Sequence, residues 1–477
     1  MRYKIIILFF TLILIRGGLS AQTSFYRTYG HSSYFEGVDL FQIPNDSSYY
    51  LLGNHSGFSG AKSIYLLKTD SMGIPIWDVS IGDSRNYEAK SMFLSKDSFI
   101  YIIGNVYNFS TSYDILLLKL DLQANIIWEK NFGSSGWDFG IGIDTISSDS
   151  IVIAANTYSY GNQTANFLRL VVNENGDSLE QILYESPDEQ KIHEIRRTSR
   201  GFLFCGENAV AASNPDALIL HTDIAGDTLF HLIFGDTATD IAYSGFEINS
   251  NEFFITGIYT NTANSLNEND LRLLLDSSAN LLNDPYLFYN TEKSGGYHCI
   301  SLGTNYNLIC GYDENFGAGK ADGRILHLDN NGYFINGSTV GSHENEYLYK
   351  VILSVDSGIA AIGTSWGFGD AISNIQFIKT QSNAHYNFST YQHYTNIEDI
   401  DDTKTNPLSF FPNPVKRGIN IEIRQDYDKL IIFNLKGQEV ARYYKQRKIQ
   451  TTNLIPSIYF IHFFKDEKIS VEKLIVY

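Results

Sequence analysis

The chain has 477 residues, 43% hydrophobic and 14% aromatic, and a formal net charge of −18. That length supports a large core and more than one domain. The acidity repels phosphate backbones and argues against nucleic-acid binding, and three cysteines form neither a disulfide framework nor a zinc pattern.

Residues 1–21 read as a secretory signal peptide. Arg2 and Lys4 form the charged start, Ile5 to Ile15 the apolar run, and Gly17-Gly18-Leu19-Ser20-Ala21 the small-residue cleavage region. The apolar run is too short to span a bilayer. No later stretch resembles a transmembrane helix, so the mature chain is expected to have no transmembrane segment.

Residues 22–395 repeat. An acid-started turn follows a strongly apolar run at Asp70, Asp121, Asn173, Asp223, Asp276, Asp329 and Thr380, with spacings of 51, 52, 50, 53, 53 and 51. A fixed period in this range signals a solenoid, a propeller or an array. Within the second unit, Tyr87–Leu94, Phe99–Asn105, Asp114–Asp121 and Asn125–Gly133 are short runs rich in Ile, Leu, Phe and Tyr, bounded by Gly, Asn, Asp and Ser. That is the strand-and-hairpin signal. Four short strands per unit describe a propeller blade. A glycine recurs on the second strand as Gly53, Gly104, Gly206, Gly257, Gly311 and Gly363, with Ala155 in the third unit. Glycine there permits close approach of neighbouring backbone. The fold class is therefore all-β, a seven-bladed β-propeller. One strand is surplus. Copies at Phe25–Gly30 and near Ala384–Tyr391 both offer to complete the last blade.

Cys299 and Cys310 flank a hairpin turning near Gly303–Asn307. Symmetric pairing about that turn would set them opposite each other and allow a cross-strand disulfide; two packed thiols are the alternative. Acids recur near the blade entries as Glu36, Glu88, Asp138, Glu189, Asp240 and Glu346. A ring of carboxylates could hold a cation or sugar hydroxyls. Their repetition favours a structural role instead, each accepting backbone N–H bonds where a loop enters a strand. Asp114, Asp216, Asp270 and Asp322, ahead of the third strands, follow the same logic. No calcium-loop, HExxH, Gly-x-Ser-x-Gly or Gly-x-Gly-x-x-Gly pattern occurs, so no catalytic residue, metal or cofactor is assigned. Aromatic residues in predicted loops are the remaining candidates, chiefly Tyr107, Tyr160, Phe316 and Trp366. Loop aromatics suit glycan or protein recognition.

Residues 396–406 form an acidic linker. The repeat then stops and the charge changes sign, with 12 Lys/Arg against 7 Asp/Glu in 407–477. Strand-like runs at Ile419–Arg424, Lys429–Asn434, Ile458–Phe464 and Val471–Val476 predict a small β-sandwich (Ig-like) C-terminal domain. The segment opens with Phe411-Pro412-Asn413-Pro414, continues with Ile431 to Gly437 and the run containing Tyr459, and ends on Glu472 to Tyr477. In these features it resembles the type A C-terminal sorting domain of the type IX secretion system of Bacteroidota. The glycine usual before the Ile/Val-Tyr pair is absent, since Ser457 precedes Ile458. The resemblance implies export to the periplasm, recognition by the outer-membrane translocon, and release or retention at the cell surface. For the repeats, the leading expectation is a non-catalytic binding module for glycan or protein. The alternative is a propeller-fold extracellular enzyme acting on polysaccharide, a hydrolase or lyase.

Overall fold

The computed structural model describes residues 24–31, 33–56, 61–110, 112–147, 150–159, 164–210, 214–260, 268–283, 292–303, 306–369, 371–382, 391–394, 410–411, 415–423, 427–434, 438–465 and 468–476. The chain divides into two compact units, Met1–Glu398 and Asp399–Tyr477.

In the first unit the strands form consecutive antiparallel meanders. The second sheet is typical: Tyr87–Leu94, Ile100–Asn108, Ser112–Leu120 and Ile126–Phe132 lie side by side in chain order. Ser112–Leu120 is buried from Asp114 onward, whereas Ile126–Phe132 is half exposed. A strand covered on both faces reads as a continuous apolar run, which is why the third strand of each unit carries the repeat so visibly. The fifth sheet shows three strands among the described residues, Asp240–Asn249, Glu252–Thr260 and Glu268–Asp276.

The first strands of successive sheets touch one another in order, and that of the seventh, Glu346–Leu353, returns to that of the first, Tyr34–Gln42. The seven sheets thus close into a ring. The core lies in the seams. Tyr50, Leu52, Ile64 and Leu66 of the first sheet pack with Met92, Ile102, Leu116 and Leu118 of the second. Phe35, Leu51 and Leu67 of the first pack with Ile362 and Phe377 of the seventh. Each such buried side chain contributes about 1.5–3 kcal/mol by leaving water.

The N-terminal strand closes the ring. Phe25–Tyr29 pairs antiparallel with Asn374–Thr380 as the fourth strand of the seventh sheet. Tyr391–Tyr394 then adds a fifth strand, parallel to Phe25–Tyr29; the surplus copy expected near Ala384–Tyr391 lies, but for Tyr391, outside the described residues.

Each inner strand also carries a β-bulge, one extra residue against its neighbour. The repeated glycine faces the residue just before this bulge. A Cβ at Gly257 would lie 1.8 Å from the Ile241 carbonyl oxygen, and one at Gly363 1.8 Å from that of Tyr347. Glycine is favoured because the bulge presses backbone onto backbone, and only the third sheet carries a Cβ there, at Ala155 opposite Gly140.

In the second unit, Asn420–Ile423 pairs with Phe410–Phe411 and Lys448–Gln450, and a four-stranded sheet runs in the order Glu439–Tyr443, Lys429–Asn434, Ser457–Lys465, Lys468–Val476. One apolar cluster joins the two sheets, with Ile421, Ile423 and Ile449 meeting Leu430, Ile432, Ile461 and Leu474.

Candidate functional site

The seven bulge residues are Val38, Lys90, Ile141, His193, Tyr243, Tyr297 and Tyr349, and all line a central cavity of about 500 Å³. A bulge re-aims a side chain out of the strand's regular alternation. The ring is chemically lopsided. The first three sheets contribute two aliphatics and a lysine; the last four contribute an imidazole and three phenols.

Those aromatic side chains form an arc. His193 and Tyr243 have ring centroids 4.9 Å apart, Tyr243 and Tyr297 5.1 Å, and Tyr297 and Tyr349 5.5 Å. The arc extends outward through Tyr312, 5.6 Å from Tyr297, to Tyr347 and then Trp366, 5.8 Å further. Burial pushes the Tyr243 phenol up to about 12, so these hydroxyls are neutral donors at ordinary pH. Trp366 is 39% exposed.

Beneath the arc, side chains just past the bulges fasten one sheet to the next. Asp39 Oδ2 accepts from Ser91 Oγ and the Met92 N–H, both at 2.9 Å. Asp144 Oδ2 accepts the Arg197 N–H at 2.9 Å. Glu194 Oε2 accepts from Ser244 Oγ at 2.6 Å and the Gly245 N–H at 3.3 Å. Ser244 Oγ in turn accepts the Cys299 N–H at 3.1 Å, and His298 Nδ1 the Val351 N–H at 3.4 Å. The innermost strand is an edge with backbone donors that need partners. These side chains supply them.

Glu194 is the electrostatic centre. Its Oε1 lies 2.8 Å from Arg196 Nη2, 3.2 Å from His298 Nε2 and 3.7 Å from Lys350 Nζ. Burial acts to raise its pKa, yet Arg196, His298 and Lys350 hold it well below the usual range. Burial, reinforced by Lys350, lowers His298 to about 3. The imidazole is therefore neutral, with a single acceptor nitrogen. Both Glu194 oxygens are engaged, which makes this carboxylate a fixed anchor.

The predicted site residues scatter. Tyr107 belongs to a separate aromatic group with Phe109 and Tyr113, at 5.6 and 5.3 Å. Phe316 is 62% exposed. Only Trp366 joins the central arc, and Tyr160 lies outside the described residues. Tyr243, Tyr297 and Tyr349 escape sequence reasoning because they sit in strands, where alternation gives no sign of a bulge.

Three findings concern the other candidates. The disulfide between Cys299 and Cys310 does not form; both are free, buried thiols. The bulge shifts the register by one, so Cys310 faces His298 and Cys299 faces Ile309. Their side chains enter different core clusters. The recurring acids do not form one ring. Asp138, Asp240 and Glu346 are fully buried, while Glu36 is exposed and Glu88 and Glu189 are half-buried. Glu346 accepts from the Ser342 and Gly367 N–H groups at 2.7 and 3.2 Å, a loop-fastening role. The seventh turn begins one residue later than the spacing implied, because Thr380 faces Ile359 as Thr69 faces Tyr49. Among the described residues no group of three His, Cys, Asp or Glu could hold a metal ion.

Of the sorting motif, Tyr459 is buried and its hydroxyl donates to the Ile455 carbonyl at 2.8 Å. Pro412, Asn413, Pro414 and Gly437 lie outside the described residues.

The geometry defines an all-β protein with a lined central cavity and a separate C-terminal β unit. Residues 409–477 match the secretion system C-terminal sorting domain family, and this segment is a type IX sorting C-terminus, which marks the chain for secretion or cell-surface export. No curated protein matches the chain. Among solved structures, it is similar to the Neurospora crassa Pan2 WD40 domain, at 10% identity and TM-score 0.44, covering 73% of this chain and 89% of that one. It is also similar to the β-propeller domain of the Trilobed protease from Pyrococcus furiosus, at 8% identity and TM-score 0.42, covering 75% and 99%. A third is the polysaccharide lyase Uly1, at 8% identity and TM-score 0.42, covering 74% and 90%. No helix among the described residues is long and apolar enough to cross a membrane.

Proposed function

We propose that the first unit is a seven-bladed β-propeller serving as a non-catalytic binding module, carried outside the cell by a small β-sandwich sorting domain. The ligand is a carbohydrate docked on the aromatic arc at the cavity. One observation carries this reading: Tyr243, Tyr297 and Tyr349 occupy equivalent bulges in consecutive sheets and line one cavity. Tyr243 and Tyr297 meet edge to face and Tyr297 and Tyr349 are tilted, and phenols combine flat apolar faces with polar tips, which suits sugar rings. Position in the fold alone does not account for them, since Val38 and Ile141 fill the same place elsewhere. Hydrolysis or elimination would require an acid–base pair free to exchange protons. Of the four carboxylates lining the cavity, Asp39, Asp144 and Glu194 are instead occupied with backbone and hydroxyl donors, and Glu36 is exposed.

The test is a glycan-array screen of the full exported chain, then calorimetry with the best oligosaccharide. Tyr297→Ala is expected to weaken binding at least about tenfold, or about 1.4 kcal/mol, with the far-ultraviolet circular dichroism retained. Unchanged affinity in that variant, or no glycan bound at all, rejects the reading.

A further inference from the structure

A second cavity, of about 400 Å³, lies in the seam between the second and third sheets and shares no lining residue with the central one. Its walls include Phe93, Phe99, Tyr101, Ile146 and Ile151, and three cations line it, Lys119, Arg197 and the exposed Lys96. The volume is in the range of small-molecule sites, which combine apolar walls with a few placed polar groups.

Three sheets carry a lysine at the same register, Lys68, Lys119 and Lys379, and Lys119 differs from the other two. At the same place in the first sheet, Lys68 lies 3.7 Å from Asp46, in the turn between the first two strands. In the seventh, Lys379 lies 2.9 Å from Asp356 of the corresponding turn. The corresponding acid in the second sheet is Asp97, exposed at the cavity edge. Among the described residues, no carboxylate comes within 4.0 Å of Lys119. Its ammonium donates to the Glu174 carbonyl at 3.2 Å and sits 4.4 Å from the Phe99 ring centre and 5.4 Å from that of Tyr101. Lys119 is only 9% exposed, and buried charges are ordinarily paired. Arg197 is held alongside, with Nη1 donating to the Thr145 carbonyl at 3.0 Å and the guanidinium over Phe202. Carbonyls and ring faces orient both cations; Asp144, which accepts the Arg197 N–H, also acts on the guanidinium, whereas no carboxylate pairs with Lys119 among the described residues.

We infer that this seam binds a small amphipathic carboxylate, its head between Lys119 and Arg197 and its apolar body against Phe93, Phe99 and Ile151. The carboxylate replaces the acid that closes the equivalent lysines in the first and seventh sheets. Lys96, Asp97 and Glu174 also line the cavity; the first two are adjacent, exposed and opposite in charge, so Glu174 is the main repulsive group.

The test is calorimetric titration of the full chain with octanoate and, separately, octanol. Octanoate should bind and octanol should not. Lys119→Met keeps the apolar stem and should weaken octanoate binding at least about tenfold, while Lys68→Met leaves it unchanged. The inference is overturned if octanoate fails to bind at millimolar concentration, if octanol binds equally well, or if Lys119→Met binds like the parent. Should Lys119→Met not fold, Arg197→Met together with the octanoate–octanol contrast decides the matter. Because this cavity is separate from the aromatic arc, Tyr297→Ala should not affect octanoate.

Discussion

Asp240 begins the inner strand of the fifth sheet, fully buried, with its carboxylate accepting N–H bonds from Asp236 at 3.0 Å and Thr260 at 3.1 Å. Burial outweighs those bonds and raises it to about 6, with Asp236 and Asp216 adding repulsion. A carboxyl raised in the folded state binds its proton there more tightly than in the unfolded chain, where it titrates near 3.9. Its contribution to stability therefore falls as pH rises from about 4 to about 6 and stays low above that. Asp240→Asn removes this dependence. Urea midpoints measured from pH 4 to 7 should show the variant gaining on the parent as pH rises, and parallel profiles would refute the assignment. The acid was legible in the sequence, and so was its structural role. Its burial was not, because burial depends on which face of the strand meets the next sheet.

At the scale of elements, bulge, glycine and inter-sheet fastening form one device. The bulge brings the inner strand onto the second strand, and glycine admits it. Residues past the bulge then reach the N–H groups of the neighbouring sheet, as Asp39 and Glu194 do. Gly363→Ala places a Cβ 1.8 Å from the Tyr347 oxygen, so the strands must separate. Overpacking of this kind costs about 1–3 kcal/mol. Chemical denaturation should show a lowered midpoint, and an unchanged one would mean the bulge is not rigid. The glycine period was visible in the sequence because it is a constraint repeated nearly every unit. The bulge was hidden because its extra residue varies freely, from Val38 to Tyr349.

For the whole molecule, the two units separate at Glu398, and the chain's address resides in the second. Removing 409–477, the segment matching the sorting domain, should abolish appearance of the protein in the medium or at the cell surface, with the ring still folded. Immunoblotting of cell fractions measures the first, and protease resistance of the retained fragment the second. Undiminished export of the truncated chain would place the export signal elsewhere. Ring closure belongs to this scale too. Phe25 and Tyr29 are buried against Phe377 and Tyr394, so the N-terminal strand joins chain regions about 350 residues apart.

The sequence by itself determined the all-β class, the repeat, the central glycine and the sorting segment. Each rests on local chemistry: apolar runs of strand length, turn residues at a fixed spacing, and a motif order near the C-terminus. Only the tertiary structure decided which terminal strand closes the ring, which face each acid takes, and why Cys299 and Cys310 stay apart. It also gathered Tyr243, Tyr297 and Tyr349 from three repeats into one cavity. These outcomes depend on register, and a single bulged residue shifts register without altering composition or period.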